Sequence, residues 1–214
     1  SLLRPLVEEL AERRAAALLG GGEEKVARQH EAGKLTARER MALLFDDGAF
    51  TELGLHAGIH HAVRGMEGKE APADGVITGW GKLDGRLVAA CAYDFTVMAG
   101  SMGATGELNP MVWLLDSAGG RIQEAVGSLF AQTGQLFHEQ VVASGVIPQV
   151  AALMGPCAAG TAYIPGLADF APMVRGRGSM ALAGPHLVRA AIGEDVTQEE
   201  LGGSRVHCRK SGVG

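Results

Sequence analysis

Aromatic residues are scarce in this 214-residue chain, at 5%, and no basic block exceeds a few positions. With a net charge of −5, the chain offers neither the phosphate-tracking charge nor the stacking surfaces of a nucleic-acid binder. Cysteine is scarce too. Cys91, Cys157 and Cys208 are odd in number, lie far apart and form no CxxC pair. That argues against a zinc ribbon and for a reducing compartment over a secreted setting. The opening SLLRPLVEELAERR lacks the apolar centre of a signal peptide. The most apolar stretch, 141–174, is cut by Pro148, Gly155, Pro156, Gly160 and Pro165, so it is no plain membrane helix. Two catalytic signatures are missing as well. No GxxxxGK[ST] phosphate loop occurs. The nearest approach to GxSxG, Ala99-Gly100-Ser101-Met102-Gly103, lacks its first glycine and has no clear helix after it.

What is abundant is glycine, 32 residues, about twice the usual share. The glycines fall between apolar runs, where tight turns and close backbone approach need them. The length suits one domain with a sizeable core. Residues 2–19 have helical spacing, and Gly20, Gly21 and Gly22 end that helix. A charged helical stretch follows over 23–32. Thr36 with Glu39 then forms a capping box ahead of Met41, Leu43 and Leu44. These segments predict a helical arm, residues 1–50, packed on a core of residues 51–214 or on a partner. From about residue 74 the period becomes that of strands. Leu83-Asp84-Gly85 joins two of them as a hairpin. His60 and His61 precede it and read as an exposed loop pair, since no further metal ligand stands at a useful spacing.

Residues 87–97 and 111–116 read as further strands. A parallel pair needs a crossover of a dozen or more residues, usually helical. The intervening MAGSMGATGELNP, with Gly100, Gly103, Gly106 and Pro110, allows a turn or two of helix at most. After MVWLLDSAGG, a helix is expected over 121–140 on Ile122, Val126, Leu129, Phe130, Leu136 and Phe137. VIPQVAALMG is a second buried strand, expected to stop at a turn of Gly155 to Gly160 with a helix from about Ala158. FAPMVRGRGSMALAGP gives two short strands, and Thr197 with Glu200 caps a short helix. The order of elements is that of a layered α/β core.

Both strand-ending turns put small residues at a strand–helix junction. Amides at a helix start lack intrahelical partners, and the helix dipole makes them electropositive. A ligand oxygen that gains charge during reaction is stabilised there. Two other readings stay open on the residues alone. Ser117 or Cys157 serves as a nucleophile with a distant base, or the glycines only allow tight packing and Cys157 fills space.

Five stretches carry a resemblance: GKLTARERMALLFDDGAFTE, DGVITGWGKLDGRLVAACAYDFTVMAGSMG, LLDSAGGRIQEA, ASGVIPQVAALMGPCAAGTAYIPGLADF and GEDVTQEELGGSRVHCRKSGV. In this order they resemble the N-terminal half of the carboxyltransferase (β) subunit of biotin-dependent acyl-CoA carboxylases, in the style of the propionyl-CoA, methylcrotonyl-CoA and actinobacterial acyl-CoA enzymes. The resemblance implies a crotonase-like α/β fold, a spiral of ββα units with an N-terminal helical arm. It implies transfer of a carboxyl group from carboxybiotin to the α-carbon of an acyl-CoA, through a thioester enolate held by backbone amides. Carboxybiotin, on a carrier domain, would release CO2, and the biotin anion would take the substrate proton, with no protein nucleophile and no metal. The implied oxyanion amides are Ala118, Gly119 and Gly120. The implied substrate-binding residues are Gly155, Pro156, Cys157, Ala158, Ala159, Gly160 and Arg121. The implied partners are a biotin carboxylase and biotin carboxyl carrier (α) subunit, further copies of the chain in a hexamer, and acyl-CoA, with no nucleic acid and no membrane. The implied setting is fatty acid or branched-chain amino acid metabolism in the cytoplasm, or the mitochondrial matrix in a eukaryote.

Three departures stand out. The family reads Ser-Gly-Gly-Ala-Arg where this chain has Ser117-Ala118-Gly119-Gly120-Arg121, which would cost free energy if Ala118 needed a positive φ. The family's helix ahead of LLDS is too short here by more than three turns, so a stretch near 105–111 is expected to be missing. The chain ends at Gly214, where the family continues into a second crotonase-like domain, so half a site is expected. The rival functions are a crotonase-fold hydrolase using Ser117 or Cys157, and a non-catalytic acyl-CoA-binding scaffold.

Overall fold

The computed structural model describes residues 3–58, 66–101, 112–123, 131 and 133–214. The chain opens with three helices, α1 (Arg4–Leu18), α2 (Glu23–Glu31) and α3 (Ala37–Leu44). Six strands follow among the described residues: β1 (Phe50–Leu53), β2 (Val76–Leu83), β3 (Arg86–Tyr93), β4 (Val112–Ser117), β5 (Val150–Ala158) and β6 (Ser179–Ala181). They lie in one sheet in sequence order. β1, β2 and β3 pair antiparallel, and β3 to β6 pair parallel. The hairpin expected at Asp84-Gly85 is present, with both residues at positive φ (50° and 74°) as a two-residue turn of right-handed strands requires.

Each face of the sheet is covered. On one side α3 places Ala37 and Met41, with Phe45 just after it, against Ile77, Ala90, Ala92 and Leu114. On the other side α4 (Thr133–Ala143) and α5 (Tyr163–Leu167) cover Trp113, Leu115, Ala151, Leu153 and Cys157. Leu136 and Ile164 are their fully buried contributions. Strands buried on both faces read as continuous apolar runs, which is why VWLL and VAALM show no alternation in the sequence. α6 (Pro185–Ile192), α7 (Gln198–Gly202) and a helical stretch over 204–211 close the described chain. Both expected capping boxes form, Thr36 with Glu39 and Thr197 with Glu200.

Some boundaries differ from the sequence reading. β5 does not stop at Gly155. It continues through Pro156 and Cys157 to Ala158, because β6 pairs with those residues and keeps them extended. Of the two strands expected over 170–185 only Ser179–Ala181 forms; Phe170 and Met173 make single bridges. The helix expected over 121–140 is described as Thr133–Ala143, and Ile122 is 76% exposed because its neighbour Arg121 takes the inward position. His60, His61, Val126, Leu129, Phe130 and the short piece 105–111 lie outside the described residues.

The arm is fastened to the core by charge. Asp116, fully buried near the end of β4, accepts hydrogen bonds from Lys34 Nζ (3.0 Å), Arg40 Nη2 (2.7 Å) and Gln29 Nε2 (3.2 Å). A register shift between Leu115 and Ser117 marks this point of the strand, as bulges that re-aim a side chain do. Gly155 on β5 leaves room for the carboxylate: a Cβ there would collide with Asp116 Oδ1. A second attachment joins the Gly20–Gly22 turn to the core, where Gly21 N–H donates to Thr96 Oγ1 at 3.0 Å.

Asp116→Ala removes the counter-charge that Lys34 and Arg40 share. The expected loss is about 3–5 kcal/mol of unfolding free energy, measured by urea denaturation; a loss near zero would show that the arm docks without the carboxylate. Glu39 supplies a pH dependence. A hydrogen bond from His30, and then the Thr36 N–H, hold its carboxyl below the usual glutamate range. A depressed carboxylate stabilises the fold above its unfolded value and loses that contribution as pH falls through the folded one. Protection of the α3 amides, measured against their intrinsic exchange rates, is therefore expected to fall below about pH 4.5, and Glu39→Gln is expected to flatten that response.

Candidate active site

Strands β4 and β5 run parallel and end side by side, with Ser117 opposite Cys157. Beyond them lie the two small-residue turns. Gly119 is the residue that lets them meet. Its φ of 104° is open to glycine, and a Cβ there would sit 2.8 Å from the Ala158 carbonyl oxygen and 3.1 Å from Ala159 Cβ. Ala118 has no positive φ, so its methyl group carries no backbone strain. The demanding position in Ser-Ala-Gly-Gly is the middle glycine.

The amides differ from what was expected. Ala118 N–H donates to the Ala99 carbonyl at 2.9 Å, and Gly119 N–H to Ser117 Oγ at 3.1 Å. Both are committed inside the protein, which removes Ala118 and Gly119 from the ready donors. Gly120, partly exposed, is the next amide of the turn. On the β5 side, Gly155 and Cys157 are buried in the strand, Pro156, Ala158 and Gly160 are half-buried, and Ala159 is exposed. Ala159 adopts φ 52° and opens a 3-10 turn, Ala159–Ala162, whose N-cap Ala158 gives no side-chain cap. A Cβ on Gly160 would meet nothing within 4 Å.

Arg121 departs furthest from its expected role as a substrate contact. It is 2% exposed, and its Nη1 donates to Asp74 Oδ1 at 2.7 Å. Its Nη2 donates to the carbonyls of Asp74 and Ser101, each at 3.1 Å. The sequence reading missed Asp74 and the 98–101 loop. The signal was present: Asp74-Gly75 and Ala99-Gly100 both stand beside strands, but nothing local says that they meet.

A family model described as the carboxyl transferase domain matches residues 28–214. The chain belongs to the carboxyl transferase domain family. It is 46% identical over 220 residues to the carboxyltransferase subunit of propionyl-CoA carboxylase from Haloferax mediterranei, covering 97% of this chain and 42% of that protein. It is 47% identical over 221 residues to methylmalonyl-CoA decarboxylase subunit alpha from Veillonella parvula, covering 97% of this chain and 43% of that one. Among solved structures it is similar to the transcarboxylase 12S hexameric core with methylmalonyl-coenzyme A and methylmalonic acid bound, with a TM-score of 0.91 and 41% identity over 99% of this chain and 44% of that one. The chain thus spans less than half the length of these relatives. Both alignments run longer than the 214 residues of the chain, so the relatives hold residues that it lacks within the matched stretch. The sheet and its flanking helices have the crotonase-like fold of these carboxyltransferases.

In this carboxyltransferase-family chain neither rival nucleophile is available. Ser117 is fully buried; its Oγ–H donates to the Gly100 carbonyl at 2.7 Å while its oxygen accepts from Gly119. Cys157 is 1% exposed, and its Sγ–H donates to the Thr161 carbonyl. Burial, opposed by the Thr161 hydrogen bond and aided by the Asp116 charge, pushes its thiol up to about 12. A buried thiol held protonated is a poor nucleophile. Among the described residues no group of His, Cys, Asp and Glu could hold a metal ion. Iodoacetamide at pH 8 is expected to label the exposed Cys208 and spare the buried Cys91 and Cys157 until the protein unfolds. Fast native labelling of Cys157, read by mass spectrometry, would reopen the thiol reading.

Proposed function

We propose that the chain forms the acyl-CoA half of a carboxyltransferase site, which moves a carboxyl group between biotin and the α-carbon of an acyl-CoA. The observation that carries this reading is the apposition of the Ala118–Gly120 turn with the Ala158–Gly160 turn at the ends of two parallel strands. Ligands of open α/β sheets bind outside such carboxyl ends. Gly120 and Gly160 are the donors we assign, one from each turn. Ala118 and Gly119 serve instead as the frame that holds Gly120 in place. Gly160 lies in the first turn of a helix, where amides have no intrahelical partner.

Two fixed N–H groups aimed at one thioester oxygen favour the enolate over the neutral ester, because the charge on that oxygen grows as the α-proton leaves. The protein then needs no side-chain nucleophile, in keeping with the burial of Ser117 and Cys157. Carboxybiotin supplies the carboxyl group and, after its departure, the base. The same geometry serves transfer in either direction, and the relatives include both a carboxylase and a decarboxylase. The carrier subunit, further copies of the chain and a second crotonase-like domain complete the site in this reading.

The full-length protein is expected to exchange labelled carboxyl between a carboxylated short or branched acyl-CoA and free biotin. No exchange across a panel of such thioesters would overturn the reading. Gly119→Ala is expected to lower kcat by about 10²–10³, the cost of losing one oxyanion donor, because its methyl group would force the two turns apart. Unchanged turnover in a folded Gly119→Ala enzyme would refute the amide assignment.

A further inference from the structure

Arg121 and Asp74 have no place in the amide chemistry, yet they form the most deeply buried ion pair described in the protein, with side chains 1% and 0% exposed. Two unusual turns surround them. Met98, Ala99 and Gly100 are consecutive residues at φ 47°, 56° and 63°. Ala73, Asp74 and Gly75 are another such run, at 51°, 52° and 75°. Residues other than glycine hold this left-handed region only where their surroundings constrain them.

The 98–101 turn does something definite with that shape. It presents three successive carbonyls to the oxyanion turn. The Ala99 carbonyl accepts from Ala118 N–H at 2.9 Å, the Gly100 carbonyl from Ser117 Oγ at 2.7 Å, and the Ser101 carbonyl from Arg121 Nη2 at 3.1 Å. Gly100 lies so close to β4 that a Cβ there would collide with the Asp116 carbonyl oxygen. The Gly75 Cα stands against the Ser101 and Val97 carbonyls and the Arg121 guanidinium, as a Cβ there would lie 3.3, 3.4 and 3.6 Å from them. Arg121 therefore links both turns and is itself the residue after Gly120.

We propose that Arg121 and Asp74 are positioning residues for the enolate site: their buried ion pair locks the two left-handed turns together and so fixes where the Gly120 amide points. This rests on the functional reading above. It assigns Arg121 to the shape of the site and not to contact with substrate. A guanidinium is required because one planar fork reaches the Asp74 carboxylate, the Asp74 carbonyl and the Ser101 carbonyl together. A lysine ammonium keeps the charge without that fork.

The test uses the full-length enzyme with Arg121→Lys and Asp74→Asn. Glu52→Gln serves as control, since it breaks the Arg38–Glu52 ion pair on β1, away from the turns. In the carboxyl-exchange assay Arg121→Lys is expected to lower kcat by about tenfold to a hundredfold, the scale of a small misplacement of reacting groups. KM for the acyl-CoA should stay within about twofold, as interactions made only in the transition state are the ones removed. A substrate contact would instead raise KM. Glu52→Gln is expected to lower Tm and leave kcat unchanged. Amide hydrogen exchange of residues 117–121 gives a second readout that needs no turnover. Arg121→Lys and Asp74→Asn should each speed it at least tenfold relative to β2 and β3. If kcat and that exchange are both unchanged in Arg121→Lys, the positioning role is wrong. If the unmodified enzyme exchanges no carboxyl, the functional reading fails, and amide exchange alone still decides the positioning.

Discussion

The arrangement rests on one carboxylate. Asp116 is buried at the end of a central strand, where an isolated charge would be strongly disfavoured. The arm answers it with two cations and an amide, drawn from the end of α2, the loop after it and α3. That cluster fixes the arm against the sheet and the last residues of β4 against the arm. Ser117, next in sequence, is thereby held where its hydroxyl reaches Gly100 and Gly119. Helical arm, strand end and the Ala118–Gly120 turn form one continuous set of contacts. The absence of a side chain at Gly155 is part of it, since the carboxylate occupies the space a methyl group would need.

The same logic explains how a site can be chemically plain and still demanding. The proposed donors are main-chain amides, which every residue but proline possesses. Their use depends on direction, and direction comes from the neighbours. Ser117, Arg121 and the carbonyls of 99–101 consume the hydrogen-bonding capacity around the turn. The turn is left one settled shape with little freedom to lose when a ligand arrives, which is how preorganised donors act without reorganisation at the moment of reaction.

Much of this was legible in the sequence, and the divide is physical. Local signals held. Both capping boxes, the Asp-Gly hairpin and the arm helices follow from contacts within a few residues, and they appear as expected. The buried strands were readable from apolar runs, and the fold from five ordered motifs. Errors arose where distant partners decide. β5 outran its glycine and proline because β6 lies beside it. Nothing local shows that the 99–101 loop returns to accept the Ala118 N–H, while the Gly119 N–H is taken by Ser117 Oγ, two residues back. Arg121 beside a glycine turn looks like a ligand contact until Asp74, 47 residues earlier, is found against it. Small residues announced the two turns; the long-range bonds around them set their shape.

The 98–101 turn carries a consequence for heredity. Its contribution to the site is three carbonyl oxygens, and no codon specifies a carbonyl oxygen. Side chains at Met98 or Ala99 could change without altering the groups that face residues 117–121, provided the chain keeps the same path. The information is stored as a trajectory, guarded by Gly100 on one side and the Asp74–Arg121 pair on the other. Relatives that spell this loop differently can therefore present the same three acceptors.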